Sequence, residues 1–220
     1  LQVTLRAWRV GVGDRVVLYD DVGLNRHAIR GYWLLRLYGF PATDVHVLDG
    51  GIEAWTRAGE ATTQDVPEAD LADGLRQPAT LGRLDEALIT DHDAVLAWSR
   101  ESAASLAAPT RLLDVRTAPE WIGTDVRSRR GGHIPGARQR AFEDLLTPEG
   151  TFRGVHEMLS LIRGAGADPA QIRAVYCQSG VRSSLGWFVL HELAGFHEVR
   201  NYAGSWEEWG NRDDSPVECP

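Results

Sequence analysis

The residues best able to do chemistry stand together: Cys177-Gln178-Ser179-Gly180-Val181-Arg182-Ser183-Ser184, directly after the apolar run Ala174-Val175-Tyr176. The thiolate, not the thiol, is the working nucleophile, so a catalytic cysteine needs positive potential around its sulfur. At the end of a buried strand whose loop feeds a helix, Cys177 would sit at the carboxyl edge of a sheet, where open α/β sheets place ligands. Backbone N–H groups of such a loop can face inward, and the helix N-terminus adds a positive partial charge. Gly180 allows tight curvature, and Arg182 adds a fixed cation for an anionic substrate. The pattern predicts Cys177 as the nucleophile, with Gln178, Ser179, Gly180, Val181, Arg182 and Ser183 binding substrate. No general base and no metal is needed. The reading requires a reachable sulfur and loop amides aimed at it. The bland alternative is a buried cysteine packed as a small hydrophobe; strand, glycine and arginine together favour the catalytic one.

Loop length separates two chemistries. Cysteine-dependent phosphatases place one more residue between cysteine and arginine, and here Ser183 occupies that arginine position. The smaller ring suits a terminal sulfur atom better than a phosphoryl group.

The elements that must position this loop occur twice. Residues 173–177 read as a buried strand, 187–193 as a helix stopped at Gly195, and 198–202 as the next strand, followed by Gly204 and Trp209. The same order stands earlier: strand 15–20, helix 32–38 stopped at Gly39, strand 45–48, then Gly50 and Trp55. Tyr19 falls on Tyr176 and Gly39-Phe40 on Gly195-Phe196. An order kept through strand, helix, glycine and tryptophan reads as a duplicated unit. The later copy also has an opening half, strand 111–115 and then Gly131-Gly132-His133-Ile134-Pro135-Gly136-Ala137. Nothing comparable precedes residue 15, so the first repeat is expected to be truncated. Residues 61–80 fall in a polar stretch rich in Ala, Asp and Pro and read as a linker. The expected organisation is an N-terminal repeat over 1–60, the linker, and a catalytic domain over 81–220. Alternating strands and helices imply an α/β fold, with mainly parallel sheets flanked by helices.

Composition narrows the partners. With 23 basic against 31 acidic residues the net charge is −8, which disfavours nucleic acid. No stretch of eighteen apolar residues is present to span a membrane, and residues 1–6 lack a signal-peptide pattern, so a cytoplasmic location is expected. Two cysteines, Cys177 and Cys219, make neither a disulfide framework nor a CxxC metal site.

In combination these motifs resemble the two-domain rhodanese family of thiosulfate and mercaptopyruvate sulfurtransferases. The matches are Gly132 to Ala137 downstream of Asp114-Val115-Arg116, the loop from Cys177 to Arg182, and Asn201-Tyr202-Ala203-Gly204-Ser205-Trp206-Glu207-Glu208-Trp209. The resemblance implies tandem rhodanese-like domains, the first inactive; Asp20 stands at its cysteine position. It implies that Arg30, from the inactive repeat, enters the active site; the alternative is a solvated residue at a helix start. It implies a Cys177 persulfide and no cofactor, in a monomer that takes sulfur from a small anionic donor and passes it to cyanide or a thiol. Arg182 favours thiosulfate as donor, against mercaptopyruvate; a rhodanese-fold binding module without turnover is the rival from another class. Other residues have structural expectations. His133 makes a hydrogen bond in a rigid turn, Asp114 supports the loop, and Trp206 and Trp209 line core and cleft. Arg127, Arg129 and Arg130 form a solvated basic run, and Cys219 is exposed and without function.

Overall fold

The computed structural model describes residues 1–7, 10–21, 24–65, 79–105 and 107–219. Most of the expected linker therefore lies outside the described residues. The first repeat runs α1 (Gln2–Ala7), β1 (Val16–Leu18), α2 (Arg26–Leu37), β2 (Val45–Val47) and α3 (Gly51–Arg57). The second opens with β3 (Ile89–Thr90), α4 (His92–Ala103), β4 (Leu112–Asp114), α5 (Ala118–Trp121) and β5 (Arg138–Gln139). It closes with α6 (Val155–Gly164), β6 (Ala174–Tyr176), α7 (Val181–Trp187), β7 (Arg200–Tyr202) and α8 (Ser205–Trp209). Two 3₁₀ turns, Phe142–Leu145 and Pro169–Gln171, flank α6.

The strands pair in parallel throughout, as strands joined by helical crossovers do. β1 and β2 form a two-stranded sheet with Val16 opposite Val45. The second sheet has the order β3-β7-β6-β4-β5, with Val175 between Leu113 and Asn201. Its central strands Leu112–Asp114 and Ala174–Tyr176 are buried at every position, as a parallel sheet covered on both faces requires. The repeat seen in the sequence is visible as β1-α2-β2-α3 beside β6-α7-β7-α8.

Alternation along β6 splits its side chains between two cores. Ala174 and Tyr176 join Val95, Leu112, Trp206 and Trp209 on one face. Val175 and Cys177 join Leu113, Leu185 and Trp187 on the other, in a cluster continuous with Leu5, Ile29, Trp33 and Leu35 of the first repeat. Cys177 thus faces the first repeat because of its parity in the strand. On that side α2 packs on α7: Tyr32 meets Phe188 edge-on at 5.0 Å, and Arg36 pairs with Glu192 at 3.3 Å.

Element boundaries differ from the expectation in two informative places. The first helix begins at Arg26 rather than Tyr32, because Asn25 at φ 55 and the Asp20 carboxylate organise its polar first turn. The second begins at Val181, and residues Phe188–Leu193 widen into a π-helical turn. A hydrophobic period cannot register either a polar helix start or a change of pitch.

Trp33 ties the repeats together: it is 1 % exposed and donates its indole N–H to the Leu88 carbonyl at 3.1 Å. Trp33→Ala is expected to cost about 3–5 kcal/mol, the usual loss for a large buried side chain, read as a lower denaturant midpoint.

Candidate active site

The chain leaves β6 at Tyr176 and enters α7 at Val181, so the connection must curl tightly. Gly180 makes this possible at φ 84; a Cβ there would lie 2.6 Å from the Ala203 carbonyl. The curl directs the Gly180 N–H at the Cys177 sulfur, with N–Sγ 3.2 Å. Ser205 approaches the same sulfur with its hydroxyl at 3.9 Å and accepts the Cys177 N–H at 3.1 Å. The segment after β7 docks alongside, with Trp206 N–H on the Cys177 carbonyl and Glu207 N–H on the Gln178 carbonyl. Below the loop, Ser183 donates to Asn201 at 2.7 Å and Ser184 to the Gly180 carbonyl at 2.9 Å.

Two arginines stand at this loop, one from each repeat. Arg30 reaches from α2 across the repeat boundary to the Gly180 carbonyl at 3.1 Å and the Ser184 hydroxyl at 3.5 Å. Its guanidinium lies 4.5 Å from the Trp33 ring centroid, a cation–π distance. Burial weakens its hold on its proton and the charge on Cys177 partly restores it. Arg182 lies in the first turn of α7 and is gripped end-on by Glu120, with contacts of 2.7 and 2.6 Å. Burial and the Glu120 contact act oppositely on Arg182, and the contact prevails, holding the proton more tightly than usual. Glu120 also accepts from the Thr117 N–H and hydroxyl. Burial alone would raise its carboxyl, but Arg182 and Thr117 more than offset it and lower it to about 2.

Several expected roles change. Among the described residues, Gly180 supplies the single backbone N–H within hydrogen-bond range of Cys177 Sγ, where a ring of amides from Gln178 to Ser183 was expected. The cysteine is closed over, at 1 % exposure, because Ser205 and the apolar cluster under α2 pack on it, so the reachable sulfur and the several inward amides that the sequence reading requires are not met in this structure. Gln178 turns away, its amide donating to the Arg127 carbonyl and the Ser128 hydroxyl. Ser179 is exposed at the tip, Val181 is half-buried at the helix start, and the Ser183 side chain is committed to Asn201. Arg182 is no free cation. Its partner Glu120 escaped the sequence reading; the signal available was Thr117-Ala118-Pro119-Glu120, a capping-box pattern with its glutamate at the third helical position. Arg30 sits in the second turn of α2, not at a helix start, so the dipole argument against a cation there does not apply.

The remaining expectations divide. Asp114 and Arg116 form a fully buried pair at 2.6 Å, and Arg116 also donates to the Gly132 carbonyl, so Asp114 does support the loop segment. His133 bonds the Trp121 carbonyl at 3.0 Å and stacks on its ring, a structural role. Trp206 and Trp209 are core residues. Arg130 is not solvated: it donates to the carbonyls of Trp209, Gly210, Arg212 and Ser215 and clamps the C-terminal segment. Cys219 is exposed, 3.6 Å from the Gly131 carbonyl. In the first repeat the Asp20 carboxylate accepts the N–H groups of His27 and Ala28, both at 3.0 Å. It occupies the helix N-terminus that Cys177 faces in the second.

A family model described as a rhodanese-like domain matches residues 4–58 and 98–212. The chain is 38 % identical over 213 residues to a Corynebacterium glutamicum protein named thiosulfate sulfurtransferase, covering 93 % of this chain and 66 % of that one. It is equally identical, 38 % over 223 residues, to a Pseudomonas aeruginosa protein named "Probable 3-mercaptopyruvate sulfurtransferase", covering 99 % and 72 %. Among solved structures, EanB in a cysteine-persulfide tetrahedral-intermediate state with ergothioneine matches with a TM-score of 0.73 at 28 % identity, over 93 % of this chain and 51 % of that one. YnjE matches with a TM-score of 0.72 at 26 % identity, over 100 % and 53 %. The chain thus spans about two thirds or more of these curated relatives and about half of these solved chains.

The lowered Glu120 carboxyl has a pH signature. A carboxyl depressed in the folded state stabilises it fully above the ordinary value of 4.5, and that contribution is lost as pH falls toward about 2. Between those limits Glu120→Gln is expected to flatten the pH dependence of the unfolding midpoint relative to the unsubstituted protein. Parallel curves would show that the pair contributes nothing.

Proposed function

Starting from the chain's membership of the rhodanese-like family, we propose that it is a sulfurtransferase that carries sulfur as a Cys177 persulfide, with thiosulfate as donor. The observation that carries the reading is the Gly180 N–H on Sγ at the start of α7, with the Arg30 cation held on the carbonyl of the same Gly180. Each favours negative charge on sulfur.

The reaction is a double displacement. The Cys177 thiolate attacks the outer sulfur of thiosulfate; the sulfur–sulfur bond breaks, and sulfite leaves with its electron pair. Arg30 and the outward N–H groups of Arg182 hold the anion. The terminal sulfur of the persulfide stays under the Gly180 amide until cyanide or a thiol attacks it, which returns the cysteine as thiolate. Neither step needs a metal, an organic cofactor or a proton relay. Because Sγ is closed over at rest, the donor must displace non-covalent contacts, of which the Arg30 bond to the Gly180 carbonyl is one. Relatives named for thiosulfate support the donor, as does Arg30, which among the described residues bonds only neutral groups and so keeps its charge for an anion. A mercaptopyruvate donor is the second reading, favoured by the Pseudomonas relative and by the Glu120 carboxylate on Arg182.

Thiosulfate treatment is expected to leave a Cys177-containing peptide heavier by one sulfur atom, reversed by cyanide with release of thiocyanate. Cys177→Ser should abolish both the mass increment and turnover. A wild-type protein that gains no sulfur from either donor would reduce the chain to a binding module.

A further inference from the structure

Two cations lie within electrostatic range of Cys177, and they differ in what they touch. Arg30 contacts neutral groups: the Gly180 carbonyl, the Ser184 hydroxyl and the Trp33 ring. Among the described residues no carboxylate lies within ion-pair range of it. Arg182 is held by two contacts to Glu120, whose side chain is wholly buried, while the Arg182 side chain is 12 % exposed. Arg127 approaches Glu120 at 3.7 Å but is paired with Asp125 at 2.7 Å. Removing either member of the Glu120–Arg182 pair would strand a buried charge, so the pair stays closed.

Resting on the sulfurtransferase reading, we propose that Glu120 is a positioning and selectivity residue: it compensates Arg182, so of these two arginines only Arg30 meets an incoming donor with its charge unbalanced. Arg182 keeps N–H groups to orient a donor by hydrogen bonds. What Glu120 removes is the unbalanced positive charge that would favour a doubly charged donor such as thiosulfate over a singly charged carboxylate such as mercaptopyruvate. The loop sequence suggests two cations; the folded site presents one.

The test compares kcat/KM for thiosulfate and mercaptopyruvate in the wild type, Glu120→Gln and the double variant E120Q/R182Q. In E120Q the thiosulfate-to-mercaptopyruvate ratio should rise on the order of tenfold, the Coulomb effect of one unit charge at a few ångströms in a partly solvated site. The rise should lie in KM rather than kcat, and the thiosulfate KM should become more salt-sensitive. The double variant deletes a neutral pair: both rates fall, and the ratio stays near wild type. It leaves no unpaired buried charge, so it decides the matter even if E120Q fails to fold. A ratio unchanged or lowered in E120Q, or a lowered ratio in the double variant, overturns the proposal. Failure of the sulfurtransferase reading itself is distinguishable, since wild-type Cys177 would then gain no sulfur mass.

Discussion

Between Tyr176 and Val181 the chain must leave a parallel strand, bring a sulfur and an amide face to face, and begin a helix. The left-handed conformation of Gly180 makes this path possible, and the backbone of Ala203 closes against it so tightly that no side chain fits. Every other feature of the site follows from that curl. It points one N–H at Cys177 Sγ and exposes the Gly180 carbonyl to Arg30, while Arg182 is left on the helix face nearest Glu120. Ser205 and the amides of Trp206 and Glu207 hold the loop from the β7 side. The site is therefore shared between the ends of two adjacent strands and a helix of the other repeat.

The two repeats put opposite chemistry on one backbone plan. In each, a strand delivers a side chain to the N-terminus of the following helix, where unpaired N–H groups favour an anion. The first repeat fills that place with the Asp20 carboxylate, which accepts two amides. The second fills it with the Cys177 sulfur, a group that can form and break a bond. A carboxylate there stabilises α2 and ends the matter; a sulfur leaves the same potential available for transfer chemistry. The first repeat still contributes, because α2 packs on α7 and carries Arg30 to the loop.

Two of the buried charges of the second repeat come as ion pairs. Asp114–Arg116 sits wholly inside and supports the Gly132 carbonyl, and Glu120–Arg182 sits beside the active loop. Desolvation makes an isolated ion too costly in such places, so each arginine arrives with its carboxylate, and Arg116 and Glu120 carry further hydrogen bonds. The consequence for function is that counting basic residues near a cysteine overstates the field its substrate meets.

Much of the plan was legible in the sequence because it rests on local rules. Short continuous apolar runs gave the central strands, glycine stops and tryptophans gave the repeat, and cysteine, glycine and arginine spacing gave the loop. Arg30 was placed by resemblance, and the structure brings it to the loop. What the sequence could not supply is direction and partnership across long separations. That Cys177 is closed over, that one amide rather than several reaches it, that Glu120 meets Arg182 and that Arg130 clamps four carbonyls are facts of packing between segments distant in the chain. By itself the sequence determined which atoms could react and which elements carry them. The tertiary structure alone decided how much charge and how much access those atoms have, because both depend on neighbours that no local pattern brings together.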